Sequence, residues 1–518
     1  MNRFKRFILN GMLMTAVSLL MRTVSVSFNV YLSNTIGPVA MGLFTLISTV
    51  YGFAVTLATS GIQLASTRLV SEALTNDQAD HDKSLRCIMK KCIGYALIFS
   101  FSTALILFSF SPLIGKHWLK DIRTISSLKL LALSLPAISL SSAFSGYFIA
   151  VRRVHKNAVI SITEQGVKIT LSILLLSFFF AKDVESACLA VVAGSVIADL
   201  TGCFFQYCFY VAEQKRNKKE NFSKQQEKAI QKKLLHIALP VAFSAYVRSG
   251  LVTLEHLLIP LGLEQSGHSR EKSLATYGTV HSMVFPLILF PSALSASFAG
   301  LLIPEMAEAK STGNTERIAS IASRVFQSVL TFSIGVAGIF LFLANEIGAT
   351  IYPNTSAAKY IMLVAPLIPV MYLDTAVDSM LKGLGEQIYT MGVNIADSLM
   401  SVILVWFLIP KFGINGYLIT IYFTEIINAT LSITRLLNVT GIKPHIFSWI
   451  GKPLFAAIFS TTSVQLLLSH ITPHFQGKAA LFFYICFSAL LYLATLFVMG
   501  ATHLRKRSHP FKSIFQSF

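Results

Sequence analysis

The sequence predicts an all-α polytopic membrane protein with about 14 transmembrane helices. Of its 518 residues, 54% are hydrophobic and only 13% are charged, whereas soluble domains are about one-quarter charged. The mean hydropathy is +0.64. Apolar runs of about 20 residues recur along the whole chain. These observations exclude a large soluble enzyme.

A helix needs about 20 mostly apolar residues to cross a bilayer. Such segments lie near residues 7–32, 39–63, 88–111, 128–151, 158–181, 186–211, 234–261, 276–303, 321–344, 357–381, 388–409, 413–437, 447–469 and 479–501. An even number of spans places both termini on one side of the membrane. Most lysines and arginines lie in the termini and the even-numbered connections, so the positive-inside rule predicts that both termini are cytoplasmic. The connection at 262–275 is then expected to face outward.

The clearest boundary is the basic, glutamine-rich segment 212–233, which contains EQKRNKKENFSKQQEKAIQKK. It is predicted to be a cytoplasmic linker, either flexible or an amphipathic helix on the membrane surface. It separates an N-terminal six-helix bundle, residues 1–211, from a C-terminal six-helix bundle, residues 234–438. Two additional transmembrane helices and a basic cytoplasmic tail complete the chain at 439–518.

The net charge of +19 indicates a membrane partner rather than nucleic acid. Many basic residues lie in short connections between apolar spans, where they hold helix ends on the cytoplasmic side. Anionic membrane lipids are therefore the expected counter-charge. The six cysteines form no CxxC pair and lie mostly in apolar stretches, which favours a helix-packing role over disulfides or metal binding.

The two six-span halves resemble each other weakly. Arg22 lies in the first span and Arg248 in the seventh, and a polar residue follows each after seven residues, Asn29 and Glu255 respectively. A spacing of seven keeps both members on one helix face. Six-span halves related by a parallel repeat are a common transporter architecture.

Four stretches carry a resemblance to a known family. They are SLLMRTVSVSFNVYLSNTIGPVAMGLFTL (18–46), SGIQLASTRLVSEA (60–73), GYFIAVRRVHKNAVISITEQGVK (146–168) and LFPSALSASFAGLLIPEMAEAKSTGN (289–314). In this order they resemble the multidrug/oligosaccharidyl-lipid/polysaccharide (MOP) exporter superfamily, in particular the polysaccharide flippase branch with the stage V sporulation protein B group and the lipid II flippases. The chain departs from the glycine-rich GYFQG-like segment of the sporulation group, reading GYFIA at 146–150.

The resemblance implies two pseudo-symmetric bundles around a central cavity, with two extra C-terminal helices beside them. It also implies a flippase of the bacterial cytoplasmic membrane that moves undecaprenyl-pyrophosphate-linked oligosaccharide or peptidoglycan precursor by alternating access. A monomer is expected, with cell-wall synthesis enzymes as candidate partners. The sugar and any link to sporulation stay open.

Charged residues inside or at the edge of the apolar spans are the candidates for substrate binding, because such charges are costly in lipid. They are Arg22, Arg248, Glu255, Lys168, Arg68 and Glu164. Arg22 and Arg248 are predicted to bind the pyrophosphate, since a guanidinium offers a planar fork of donors. The alternative is that a carboxylate such as Glu255 neutralises them and that they serve packing. Lys168 either contacts substrate or pairs with Glu164 one turn earlier, and Arg68 either binds substrate or extends to the interface.

A second set of acidic side chains is predicted to couple transport to sodium or protons. Asp374 and Asp378 lie one turn apart on the tenth span, Asp397 lies on the eleventh and Glu425 on the twelfth. Carboxylate oxygens suit a cation or a proton relay, although internal ion pairing is the alternative. Asp199 is unassigned, and His256 and His281 are interpreted as packing or cavity residues. No resident metal or other cofactor is expected.

Catalysis is not expected, because the sequence has neither a P-loop nor an HExxH motif. Three alternatives to a flippase remain. A cation-coupled multidrug exporter of the same superfamily often has an acid in its first span, whereas residues 7–32 contain none. A membrane polymerase usually has long outer loops, and 262–275 is short. A non-transporting scaffold for cell-wall enzymes is the third.

Overall fold

The computed structural model describes residues 3–75, 81–178, 183–213, 224–353, 355–442, 444–471 and 477–500. Every regular element among them is a helix, which confirms the all-α prediction. The chain forms two compact units: unit 1 is Met1–Ser282 with Ser398–Tyr417, and unit 2 is Met283–Asp397 with Leu418–Phe518.

Unit 1 is built from nine helices within the described residues. They are α1 (Arg3–Thr59), α2 (Ile62–Thr75), α3 (His81–Leu113), α4 (Thr124–Ala132), α5 (Leu135–Ala150), α6 (Val154–Phe178), α7 (Val184–Glu213), α8 (Lys224–Gln265) and α9 (Arg270–Gly278). Short π-helical segments follow α3 at Ile114–Trp118 and α9 at Thr279–Val284. Helix α8 begins inside the predicted linker; residues 214–223 of that linker lie outside the described residues.

The remaining helices continue the chain through unit 2. They are α10 (Phe285–Ile288), α11 (Ser292–Ser311), α12 (Thr315–Phe342), α13 (Ala344–Ile351), α14 (Ala357–Val364), α15 (Ile368–Gly383), α16 (Gln387–Phe412), α17 (Ile414–Thr440), α18 (Lys452–Ile471) and α19 (Lys478–Val498). The end of α16 and the start of α17, Ser398–Tyr417, belong to unit 1.

In the described part of the chain, ten helices are long and apolar enough to span a membrane, or eleven if the bent α4–α5 pair is one span. The predicted count of about 14 differs partly because proline and glycine divide the apolar runs. Pro136 lacks an amide proton and its ring clashes with the preceding turn, and α4 and α5 meet there at 43°. Gly37, at φ 79°, kinks α1 into two limbs, which correspond to the first two predicted spans although they count as one helical element.

The predicted eighth span, 276–303, is not one helix. It is divided into the end of α9, a π-helical segment, α10 and the start of α11. Pro286 and Pro291 lie at the starts of α10 and α11, where a missing amide proton costs least. The unwound stretch therefore lies in the middle of an apolar run, an arrangement tolerated in membrane proteins where backbone is covered by protein or lines a cavity.

Each unit has its own apolar core. In unit 1 the core includes α2, α3, α5 and the start of α8, with Ile62, Met89, Phe144 and Ala238 at 1% exposure or less. In unit 2 it includes α11, α12 and α15 together with the extra helices α18 and α19. Close glycine contacts occur in both: a Cβ at Gly146 would lie 2.5 Å from the Gln63 carbonyl oxygen, and one at Gly383 would lie 2.6 Å from that of Ile303.

Candidate functional site

Unit 1 contains a cavity of about 250 Å³ among its helices. Its walls come from both limbs of α1, from α6 and α7, and from the π-helical segment after α9. The lining side chains are Ser25, Phe28, Asn29, Leu32, Met41, Phe44, Thr45, Ser48, Gln165, Lys168, Val191, His281 and Ser282. More than half of these are polar, which is unusual for the interior of an apolar helix bundle and marks the cavity as a candidate site.

The spacing of the lining residues explains how α1 presents them. Ser25 and Asn29 are four residues apart on the first limb, and Thr45 and Ser48 are three apart on the second. Residues three or four apart lie on one helix face. The break at Gly37 lets each limb turn such a face to the cavity.

A glycine crossing brings the π-helical segment against α1. A Cβ at Gly42 would lie 2.1 Å from the Leu274 carbonyl oxygen, and a Cβ at Gly278 would lie 2.3 Å from that of Pro38. Only glycine permits so close an approach of the two backbones. The crossing holds His281 and Ser282, which lie three and four residues after Gly278, at the cavity wall.

Hydrogen bonds fix several of the polar walls. The Gln165 amide donates to Ser25 Oγ at 3.2 Å. The hydroxyl groups of Thr45 and Ser282 are bonded to each other, and Ser282 also donates to the Met41 carbonyl oxygen at 3.2 Å. Asn29 Oδ1 is buried with no hydrogen-bond partner among the described residues. An orphaned buried polar atom is costly, so a ligand or water is expected there.

Lys168 is the one formally charged side chain among the lining residues, His281 being taken as neutral. Glu164, one turn earlier, does not form the expected ion pair with Lys168 within the described part of the chain. It lies against α7 instead, where its Oε2 would be 2.9 Å from a Cβ at Gly202. There it is within hydrogen-bonding range of Asp199, whose Oδ2 accepts from the Tyr51 hydroxyl at 3.1 Å.

His281 belongs to a buried group of aromatic rings. Its Nε2 is hydrogen-bonded to the hydroxyl of Tyr417, and its ring centre lies 4.5 Å from that of His256. His256 Nδ1 is 2.8 Å from the Tyr277 hydroxyl. Tyr277 and Tyr417 are at most 2% exposed. These contacts fix the plane of the imidazole that faces the cavity.

The two intramembrane arginines both lie in unit 1 but are not lining residues. Arg22 is half-buried, three residues before Ser25 and seven before Asn29, so it shares their helix face. Arg248 is exposed on α8, and Glu255 on the same helix is half-buried. Their predicted contact with a pyrophosphate stays a prediction.

Arg68 lies in a surface ion cluster. Its Nε is 3.1 Å from Glu72 Oε1, its side chain is 63% exposed, and Glu72 also pairs with Lys233 of α8. Exposed pairs of this kind contribute about 0–1 kcal/mol. The geometry matches the surface interpretation of Arg68, and its predicted contact with substrate stays a prediction.

Unit 2 brings three of the four predicted acidic residues, Asp374, Asp378 and Asp397, into one region. Asp374 Oδ2 accepts from Asn428 at 3.2 Å, while Asp378 Oδ2 accepts from Asn394 at 3.4 Å and from Lys382 at 3.5 Å. Asp374 also interacts electrostatically with Asp397. Glu425 is half-buried on α17. Among the described residues no three carboxylate, histidine or cysteine side chains are close enough to hold a metal ion together.

Amide and hydroxyl side chains that were not predicted from the sequence also lie in this region. Asn428 is only 8% exposed, and its Oδ1 has no hydrogen-bond partner in the described part of the structure. Asp374 Oδ1 and the Ser432 hydroxyl are likewise buried without one among those residues. Asn428 and Ser432 are four residues apart on α17, so the helical spacing would have indicated one polar face.

The apolar helices and the polar cavity among the described residues define the class, a polytopic helical membrane protein. A family model described as "Polysaccharide biosynthesis protein" matches residues 8–308. This match covers more than half of the chain, and the protein belongs to that family.

Individual relatives agree with this assignment. The chain is 23% identical over 427 residues to stage V sporulation protein B of Bacillus subtilis (strain 168), covering 79% of each chain. It is 19% identical over 371 residues to sporulation protein YkvU of the same strain, covering 71% of this chain and 79% of the relative.

Solved structures share the fold. The inward closed conformation of the lipid II flippase MurJ matches with a TM-score of 0.71 at 13% identity, covering 94% of this chain and 98% of that one. An inward-facing MATE family multidrug resistance transporter of the MOP superfamily matches with a TM-score of 0.64 at 13% identity, covering 82% and 98%. The polysaccharide branch predicted from the four sequence stretches agrees with the family match, and the solved structures agree in fold.

Proposed function

We propose that the protein is a flippase that moves an undecaprenyl-pyrophosphate-linked oligosaccharide or peptidoglycan precursor across the bacterial cytoplasmic membrane by alternating access. The observation that carries the proposal is the cavity of unit 1, polar and with a lysine as its one formal charge, in a member of a polysaccharide biosynthesis family. A pyrophosphate is anionic, and a cation inside an apolar bundle favours it. The fold shared with the lipid II flippase MurJ and the relationship to stage V sporulation protein B support the same assignment.

The cavity argues against the multidrug alternative. No carboxylate is among its lining residues, and Lys168 would repel a cationic drug. We also infer that the chain has no catalytic role and acts as a monomer, with anionic lipids around it and cell-wall enzymes as candidate partners.

Reconstitution tests the proposed function directly. Purified protein in proteoliposomes is expected to move undecaprenyl-pyrophosphate-linked sugar between leaflets, measured as accessibility of the sugar to an impermeant enzyme added outside. A cationic dye in matched vesicles is the control substrate. Transport of the dye without transport of any lipid-linked sugar would reject the flippase in favour of an exporter.

We further propose that unit 2 binds the coupling cation, sodium or a proton, around Asp374. Asp374 Oδ1, Asn428 Oδ1 and the Ser432 hydroxyl are buried oxygen atoms without partners in the described residues, and hard cations bind such oxygens. Asp378, already hydrogen-bonded to Asn394 and Lys382, and Asp397 would add negative charge nearby. Glu425 would contribute from α17.

The cation proposal predicts a separation between transport and lipid binding. The triple variant Asp374→Asn, Asp378→Asn, Asp397→Asn is expected to lose at least tenfold in transport rate while binding lipid-linked substrate within about threefold of the parent, because the cluster lies outside the substrate cavity. Glu316→Gln, an exposed carboxylate on α12, is the control. Rates are measured across sodium concentrations and pH values. Normal transport by the triple variant under every condition would make these carboxylates structural.

The proposed orientation places both termini and the 212–233 linker in the cytoplasm, with the α8–α9 connection outside. In a cysteine-free background, a cysteine replacing Gln265 is expected to react with an impermeant maleimide in intact cells, and one replacing Lys228 only after permeabilisation. Both positions are exposed. The opposite labelling pattern would reverse the topology.

A further inference from the structure

We propose that the junction of α2, α5 and α6 in unit 1 is a recognition site for uncharged sugars, formed by the side chains of Gln63, Ser145 and Asn157. None of the three is among the lining residues of the unit 1 cavity. The inference deepens the proposed function and rests on it for the lipid-linked glycan that would occupy the site. Four observations carry it: the bonds among the three side chains, an unpartnered amide oxygen, the absence of charge on the three side chains and the repeat.

The three side chains meet at one hydroxyl group. The Asn157 amide nitrogen donates to Ser145 Oγ at 3.0 Å and to the Ser145 carbonyl oxygen at 3.2 Å. The Gln63 amide nitrogen donates to the same Oγ at 3.4 Å. A serine hydroxyl has one proton and two lone pairs. Because the two amides occupy both lone pairs, the hydroxyl proton remains to donate to a ligand.

A tight turn between α5 and α6 brings Asn157 back to Ser145, twelve residues earlier in the chain. In this turn the Arg152 amide donates to the Ile149 carbonyl oxygen at 3.1 Å, and Arg152 has a left-handed backbone with φ 58°. Such a conformation is uncommon for a residue other than glycine. The α5–α6 connection is even-numbered among the predicted spans, so the proposed orientation puts the site at the cytoplasmic end of unit 1, where a substrate is loaded.

The unpartnered group of the site is a hydrogen-bond acceptor. The Ser145 carbonyl oxygen can only accept, so its bond with Asn157 identifies the amide nitrogen and leaves Oδ1 at the other end. Asn157 Oδ1 is buried without a hydrogen-bond partner among the described residues, and buried polar atoms of this kind are rare. Gln63 is exposed, so its amide oxygen offers a second acceptor and its remaining N–H a second donor.

The three side chains present donors and acceptors without a charge. The arginines that follow Gln63 by five residues and precede Asn157 by four have carboxylate partners: Arg68 is 3.1 Å from Glu72, and Arg153 is 2.8 Å from Glu213. A sugar hydroxyl both donates and accepts, whereas an ionised phosphate or carboxylate only accepts. The mixed, neutral set of groups therefore matches sugar hydroxyls better than it matches an anion.

The repeat places an asparagine at the same position in both units. Asn157 follows Gly146 by eleven residues, and Asn394 follows Gly383 by eleven. A Cβ at Gly146 would collide with α2, and one at Gly383 with α11. In unit 2 the asparagine amide donates to the carboxylate of Asp378 at 3.4 Å, whereas in unit 1 it donates to a serine. Related positions thus carry a charged polar site in one unit and a neutral one in the other.

Binding of lipids by the full-length protein in detergent micelles tests the site. The probes are undecaprenyl pyrophosphate and the same lipid carrying a linear glucose trisaccharide, with affinities measured by microscale thermophoresis. We expect the parent to bind the trisaccharide lipid at least tenfold more tightly than the bare lipid. Asn157→Ala is expected to remove most of this gain and to stay within about threefold of the parent for the bare lipid. Equal affinities of the parent for the two lipids would overturn the site.

Two further substitutions separate recognition from folding. Gln63→Ala changes an exposed side chain and is expected to lower the gain about three- to tenfold at an unchanged melting temperature. Ser142→Ala is the matched control for Ser145→Ala on α5, because the Ser142 hydroxyl donates to the Ile138 carbonyl oxygen of its own helix at 3.0 Å. Ser145→Ala should lose the gain and Ser142→Ala should keep it. If these two variants bind alike, the junction serves helix packing.

A third arm tests the neutral character of the site and separates it from the proposed function. A glucuronic acid trisaccharide on the same lipid is expected to gain less than threefold, and a gain equal to that of glucose would reject selection for uncharged sugars. A gain that depends on Asn157, in a protein that flips neither lipid in proteoliposomes, would leave the site standing and the flippase rejected. Flipping with equal affinities for the two lipids would do the reverse.

Discussion

Gly278→Ala is expected to destabilise the protein and to impair transport. The added Cβ would lie 2.3 Å from the Pro38 carbonyl oxygen and 2.5 Å from the Gly42 amide nitrogen. Both are backbone atoms, so α1 and α9 must separate by several tenths of an ångström or more. Alanine is about 1 kcal/mol better than glycine inside a helix, but overpacking of this kind costs about 1–3 kcal/mol or more. The cost of the clash therefore exceeds the gain in helix propensity, and the substitution is expected to lower the free energy of unfolding.

Gly52→Ala is the matched control, because Gly52 lies on the same helix α1 and a Cβ there would meet no atom within 4 Å. It is expected to leave the melting temperature unchanged or slightly raised. Gly42→Ala should behave like Gly278→Ala. The double variant should lose less stability than the two single variants lose together, because both substitutions act on one contact. If Gly278→Ala matched Gly52→Ala in melting temperature and in lipid flipping, the crossing would not shape the cavity.

The sequence predicts the fold class well because hydrophobicity and helix length are local properties. Helix breaks are less predictable. The run 276–303 is apolar throughout, yet Pro286, Pro291 and the crossing at Gly278 divide it. Gly42 was visible in the GPVAMG stretch, but its partner is more than 200 residues away in the chain.

The candidate site was predictable where its residues share a helix. Lys168, a substrate-binding candidate on the EQGVK stretch, lines the cavity, as does Asn29, which shares a helix face with Arg22 but was noted only as part of the repeat. Partners on other helices were not predictable. A pair between Glu164 and Lys168 was one of two alternatives from their four-residue spacing, but Glu164 lies within hydrogen-bonding range of Asp199 on α7. Tyr417 and His281 are bonded across 136 residues of sequence.

The two units differ in the kind of polar group they bury, and this difference supports a division of roles. The cavity lining of unit 1 has a lysine and no carboxylate. The polar region of unit 2 has three aspartates, with Lys382 bonded to one of them. An anionic substrate suits the first region and a cation the second. The division is a proposal, and the triple aspartate variant, expected to lose transport while keeping lipid binding, tests it.

Arg22→Ala is expected to abolish transport while the protein still inserts and folds. Arg22 precedes Ser25 by three residues and Asn29 by seven, so it shares the helix face that lines the cavity. A guanidinium in a membrane span is costly, and the predicted contact with a pyrophosphate would account for its presence. Losing a charged hydrogen bond of about 1.5–3 kcal/mol would weaken lipid binding about ten- to hundredfold.

Charge alone would be supplied equally by lysine, so Arg22→Lys distinguishes geometry from charge. If the planar fork binds two phosphate oxygens, Arg22→Lys should impair transport clearly, although less than alanine does. Arg317→Ala is the control, because that arginine is paired with Glu308 on the surface of unit 2. Rates are divided by the amount of folded protein, measured by size-exclusion fluorescence. A packing role predicts the opposite pattern, in which Arg22→Ala lowers protein abundance and melting temperature while each folded molecule transports at the parent's rate.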